Sequence, residues 1–187
     1  MTHEWLPTSL PARVDIGGLT FIPLTPALVQ PDYTAVMRDV SKLRAWSGQD
    51  WPTETFQIES NLDDLIRHDR EQTERVALTY SILIDGTVQG CAYVRPLLAA
   101  LRTRKLDAGS MSVDASDVVV RGWLHDRPAV ELIEACMSWL GSEPFTFPRL
   151  WWQTNSFCRD QLAACDALGL VEVLRVEGDD RMWEMRA

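Results

Sequence analysis

The sequence predicts an α/β fold, a mixed central sheet with helices on both faces. Three observations carry this prediction. β-rich runs alternate with segments of helical periodicity along most of the chain. Asp85-Gly86 lies between two β-rich runs, a strong local signal for a hairpin. Ala129 to Leu140 carries Val130, Ile133, Met137 and Leu140 at helical spacing and stops at Gly141.

In chain order, residues 1–18 carry Pro7, Pro11 and Gly17-Gly18 and read as an extended arm leading to a turn. Residues 19–187 then read as one domain. Leu19 to Pro23 is a short strand closed by its proline. From Asp32 to Trp46 the spacing of Tyr33, Val36, Met37, Val40 and Leu43 predicts one helix, with Gly48 ending it. Trp51-Pro52 is a loop. Asn61 to Arg70 is a second helix, with Asn61 as its cap, Asp63 and Asp64 in its first turn, and Arg67 and Arg70 near its end. Ala77 to Ile84 and Val88 to Val94 form the hairpin, and Pro96 stops it. Leu97 to Lys105 is a helical turn or an excursion. Val113 to Leu124 contains a strand centred on Val118, Val119 and Val120. After the helix at 129–140 come a strand at Leu150 to Gln153 and a helix from Ser156 to Leu168 that ends at Gly169. A final hairpin joins Val171–Val176 to Met182–Met185 around Gly178-Asp179-Asp180.

With 187 residues the chain can bury a sizeable core without staples. A net charge of −9 argues against nucleic acid, whose binding needs a basic footprint, and against anionic membranes. It suits a cationic amine as substrate. Cys91, Cys136, Cys158 and Cys165 form no CxxC pair and have no His at ligand spacing, so neither metal nor disulfide framework is expected. Residues 1–9 lack the basic and apolar regions of a signal peptide, and a cytoplasmic location follows as the expectation. Eight tryptophans read as a filled core plus a semi-exposed apolar face, which a homodimer could cover. Arg95, Arg102, Arg104 and Lys105 form a basic stretch that could meet a phosphate but is ordinarily a solvated face.

The element order resembles the GNAT superfamily of acetyl-CoA-dependent N-acetyltransferases from Leu19 to Met185. Ile84-Asp85-Gly86-Thr87-Val88-Gln89-Gly90-Cys91-Ala92-Tyr93-Val94 looks like the family's central hairpin with its Val-x-Gly-x signature. Asp117 to Leu124 resembles the family's fourth strand, whose splayed end holds the pantetheine arm. Ala167-Leu168-Gly169-Leu170 looks like the close of the late helix. This resemblance implies acetyl-CoA between the strands near Val119–Trp123 and Leu150–Gln153, with contacts from Val120, Gly122, Trp123, Leu124 and Arg127. It implies an amine as the acceptor.

The family's Gln/Arg-x-x-Gly-x-Gly/Ala loop is absent. Its glycines would let the backbone aim several N–H groups at a pyrophosphate. Trp123-Leu124-His125-Asp126-Arg127-Pro128-Ala129-Val130 has no glycine. Asp126 would repel phosphate, and Arg127 and His125 would compensate in part. The plain alternative is a strand-to-helix connection with Asp126 as N-cap.

The family's proton-donating Tyr, four residues before the late-helix Gly, corresponds to Cys165. A thiol there could protonate the departing thiolate, but a small core-facing residue is the ordinary reading. The Asn of that motif corresponds to Asn155, three residues early. Asp117, with Asp114 beside it, is the candidate base on the fourth strand. His68 and His125 are further candidates, although a single His in a helix tail or loop is usually a surface residue. Two functions remain open: a divergent GNAT-like N-acetyltransferase acting on an amine, or a catalytically degenerate member that serves as a small-molecule-binding or protein-interaction module.

Overall fold

The computed structural model describes residues 5–103, 113–145, 147, 149–175 and 180–184. Arg104, Lys105 and the turn at Gly178-Asp179 lie outside the described residues.

Among the described residues, eight strands form one sheet in the order β1-β2-β3-β4-β5-β6-β8-β7. They are β1 (Val14–Ile16), β2 (Leu19–Pro23), β3 (Leu78–Ile84), β4 (Thr87–Pro96), β5 (Val118–Leu124), β6 (Leu150–Asn155), β7 (Val171–Arg175) and β8 (Asp180–Glu184). All pairs are antiparallel except β5 with β6, which are parallel. The helices are α1 (Val29–Arg38), α2 (Val40–Ser47), α3 (Ile58–Thr73), α4 (Leu97–Thr103), α5 (Ala129–Leu140) and α6 (Arg159–Ala167).

Alternation along the strands divides the core. Val118, Val120, Leu124, Leu150 and Trp152 point to the face covered by α5 and α6. Cys91 and Trp123 point to the face covered by α1, α2 and α3. Val119 and Trp151 pack with Leu97 and Leu101 of α4. Among the described residues, no helix is long and apolar enough to cross a membrane.

Several local expectations hold to the residue. The β3–β4 turn places Asp85 and Gly86 at φ 48° and 77°, the left-handed pair a tight hairpin needs. Gly48 ends α2 at φ 67°. β4 lies so close to β5 at Gly90 that an added Cβ would sit 2.3 Å from the Trp123 carbonyl oxygen, which is why no larger residue fits there.

Four expectations are corrected. The helix expected over 32–46 is two helices, because the Asp39 side chain accepts from the Lys42 backbone N–H at 2.9 Å and starts α2 afresh. Asn61 does not cap α3, which begins at Ile58; it is buried inside the helix, with Nδ2 donating to Asp32 Oδ2 at 3.0 Å. Residues 14–16, read as part of an arm, form the edge strand β1. Asp126 does not cap α5. Its N-cap is Pro128, with no side-chain bond.

Candidate functional site

The β5–β6 ladder is short. Val118, Val119 and Val120 face Leu150, Trp151 and Trp152, and pairing stops there although both strands continue. Past that point the Gly122 carbonyl accepts from Gln161 Nε2 of α6 at 2.8 Å instead of from β6. The Leu124 carbonyl accepts from Lys42 Nζ of α2 at 2.7 Å. The two strands therefore part; Gln161 links them, its Oε1 accepting from Trp152 Nε1 of β6 at 3.3 Å, and Lys42 holds the end of β5.

A cavity of about 400 Å³ opens beside this parting on the α1–α3 face. Its floor is Tyr93 and Arg95 of β4, Val119 and Arg121 of β5, and Gln153 of β6. Trp46 and Trp51 form an aromatic wall, with Trp46 stacked on Tyr93 at a centroid distance of 5.5 Å. The Arg121 guanidinium lies 4.6 Å from the centre of the Trp46 ring and donates to the Trp46 carbonyl at 3.0 Å. Helices α1 and α3 supply Asp32, Asp64, Arg67 and His68. Volume, mixed lining and position are those of a small-molecule site.

One of these groups has a shifted protonation point, and another is held in a fixed orientation. Asp32 is 4% exposed; burial pushes its carboxyl up to about 6, the Asn61 hydrogen bond opposes this, and Asp64 adds to it. His68 is also buried, not a surface residue. Arg67 Nη2 lies 3.1 Å from His68 Nε2. A guanidinium only donates, so Nε2 accepts and Nδ1 carries the proton. Nδ1 faces Thr79 Oγ1 at 3.0 Å and Glu71 Oε2 at 3.5 Å. The imidazole in turn holds the Glu71 carboxyl below its ordinary range. The result is a histidine oriented by Thr79, with the Glu71 carboxylate nearby and the lone pair on the nitrogen that faces Arg67.

The structure scatters the residues named from the sequence. Asp117 is buried at the start of β5 and braced by Arg149, whose Nε donates to Oδ1 at 2.9 Å, while Oδ2 accepts from the Asp114 backbone N–H at 2.8 Å. It does not line the cavity, so it is a brace for the strand rather than a base placed at an amine. Asp114 lies beside it and accepts from Ser116. Cys165 is fully buried in the core under α6, and burial pushes its thiol up to about 12. Asn155 ties the end of β6 to α2, with Nδ2 2.9 Å from the carbonyls of both Ala45 and Trp46.

Val120 is the last β5 residue paired with β6, and its side chain lies in the core. Gly122 and Leu124 present the two bridged carbonyls. Trp123 is buried against His125. His125 is buried too, its Nε2 3.0 Å from the Ala35 carbonyl. Arg127 pairs with Glu131 at 3.3 Å and leans over Gly18, on the β2 side of the sheet and away from the parting strands.

The groups that could hold a coenzyme A arm are therefore partly different ones. The carbonyls of Gly122 and Leu124 suit the amides of a pantetheine. The N-terminus of α5 has no side-chain cap, so its N–H groups can meet a phosphate. Lys42 stands at the end of β5, and Arg38 neutralises Asp126 through bonds of 2.6 and 2.8 Å. Side-chain cations fit where glycine backbone would otherwise do the work. Nothing in the sequence flagged Lys42, Asp32 or Trp46, because helical periodicity shows which face is apolar but not which polar residue faces a cavity.

No family model matches the chain, and no curated protein sequence matches it. Solved structures do. The microcin C7 self-immunity acetyltransferase MccE, in complex with acetyl-CoA and AMP, is 10% identical, with 95% of this chain and 98% of that one covered at a TM-score of 0.70. The ribosomal L7/L12 alpha-N-protein acetyltransferase RimL, in complex with coenzyme A, is 12% identical, with 94% and 96% covered at 0.65. RimJ of Mycobacterium smegmatis, in complex with CoA-disulfide, is 14% identical, with 99% and 90% covered at 0.64. At these identities the likeness establishes the fold, that of the GNAT acetyltransferases, over nearly the whole chain.

Proposed function

We propose that this chain is an N-acetyltransferase that moves the acetyl group of acetyl-CoA to an amine held in the cavity. The carrying observation is that β5 and β6 part at the cavity floor, where Val119, Arg121 and Gln153 line it. A thioester lying between these strands would meet a molecule bound over them.

Bound acetyl-CoA supplies an activated acetyl group. The chain supplies the rest. Asp32 would attract the ammonium form of the acceptor. Nε2 of His68 would take one proton from the ammonium once Arg67 turns aside, with Glu71 stabilising the imidazolium; as the C–N bond forms and the C–S bond breaks, the departing thiolate would take the second proton and leave as free coenzyme A thiol. Backbone N–H groups of β5 beyond Val120 polarise the carbonyl that is attacked. Gly122, Leu124, Lys42, Arg38 and the N-terminus of α5 hold the cofactor. Much of the rate then comes from positioning.

Two contacts favour a second reading. Lys42 and Gln161 already occupy the Leu124 and Gly122 carbonyls, as they would in a degenerate member whose cofactor groove has closed. Calorimetric titration with acetyl-CoA, with dephospho-CoA alongside, decides between the two. Micromolar binding followed by thiol release with an amine panel is expected. Absence of heat at millimolar acetyl-CoA would overturn the enzyme reading. His68→Gln is expected to lower kcat about a hundredfold while acetyl-CoA affinity stays unchanged.

A further inference from the structure

The cavity is polarised. Above it, α1 supplies Asp32 and α3 supplies Asp64, whose carboxylate is paired with Arg67 at 3.1 Å; Arg95 and Arg121 rise from adjacent strands below. Arg95 pairs with Val119 in the β4–β5 register, so Arg121 is its diagonal neighbour on the same face. Such neighbours are within reach of long side chains. Arg95 and Arg121 thus share one floor, with the Arg121 guanidinium resting against Trp46.

At each end one charged group is incompletely answered among the described residues, Asp32 at one and Arg95 at the other. Asp32 is buried, and the side chain that bonds it is Asn61. A buried carboxylate has room for more donors and a cost for lacking them. That cost shows as the raised protonation point of Asp32. Arg95, among the described residues, makes no hydrogen bond or ion pair; its charge reaches Glu71 only at longer range. Between the ends stand Trp46, Trp51, Leu24 and Leu65, which offer apolar contact to an uncharged body.

We propose that the cavity takes a small molecule with a primary amine at one end and an anionic group, carboxylate or phosphate, at the other, joined by an apolar or aromatic body. The amine lies at Asp32, and the anion at Arg95 beside Arg121. The fate of the amine rests on the acetyl-transfer reading; the binding itself does not.

The test is titration of the full chain without acetyl-CoA, using two probe series. The carboxylate series is alanyl-phenylalanine, its C-terminal amide and its N-acetyl form. The phosphate series is pyridoxamine 5′-phosphate, pyridoxamine and pyridoxine 5′-phosphate. In one series the bifunctional member is expected to bind at least about tenfold more tightly than either truncated partner, and that series identifies the anion. Arg95→Gln is expected to erase the gain from the anion alone, and Asp32→Asn the gain from the amine alone. Equal binding of the amine-only and bifunctional probes in both series overturns the proposal, as does failure of both bifunctional probes at millimolar concentration. If the probes bind and acetyl-CoA does not, only the transferase reading fails. If acetyl-CoA binds and the probes do not, only this proposal fails.

Discussion

The Lys42 ammonium lies 2.7 Å from the carbonyl oxygen of Leu124, and so joins α2 to the last residue of β5 at the mouth of the parting strands. The two readings of the groove give this contact opposite consequences. As a cofactor ligand, Lys42 turns toward phosphate when acetyl-CoA enters. Lys42→Met is then expected to weaken acetyl-CoA about tenfold, the loss of one charge-assisted bond. Tighter binding by the variant would mark Lys42 as a plug instead. Calorimetry on both proteins reads the difference.

Asp32 makes folding pH-dependent in a stated direction. Its folded protonation point of about 6 lies above the ordinary carboxyl value. Between about pH 4 and pH 6 the folded state therefore binds more protons than the unfolded state, and stability falls as pH rises through that window. Asp32→Asn keeps the shape and removes the charge. It is expected to stabilise the protein by on the order of 2 kcal/mol at pH 7 and not at pH 4. Urea midpoints at the two pH values check this; equal effects at both would refute it.

Asp117 and Cys165 separate structural from chemical roles. Asp117→Asn breaks a buried pair with Arg149 and is expected to cost about 3 kcal/mol in denaturant unfolding. Cys165→Ala removes a buried thiol held almost wholly protonated at neutral pH, and is expected to cost about 1 kcal/mol and leave kcat unchanged. A hundredfold fall in kcat for Cys165→Ala would restore the thiol as the proton donor.

Gly90 tests the β4–β5 junction. An added Cβ meets backbone on two sides, at Trp123 and Leu124. Gly90→Ala is expected to destabilise by about 2 kcal/mol or more and to weaken any ligand held by β5. Circular dichroism melts and acetyl-CoA titration report the two effects.

All four cysteines are buried, and Cys158 is pushed up to about 11. A thiol-specific chromogenic reagent at pH 8 is expected to label none of them until denaturant is added. Rapid native labelling would show that the core opens locally.

Elements whose signals are local could be read directly from the order of residues. The helix at 129–140 follows from spacing within its own turns, the β3–β4 hairpin from two residues that tolerate positive φ, and the strand at 19–23 from a β-rich run closed by proline. The sequence also carried the order of elements, and with that the resemblance to the GNAT fold. Tertiary structure decided the rest. The split between α1 and α2 escapes periodicity because the apolar spacing runs on through Asp39, whose side chain caps only once the chain turns. Asn61 looks like a cap until Asp32 is brought beside it. The cavity joins Asp32, Trp46, His68, Arg95 and Arg121 from five separate elements. Periodicity specifies which side of each element is buried, but the meeting of polar groups across elements depends on how those buried sides are stacked, and that is a property of the packed sheet and its helices alone.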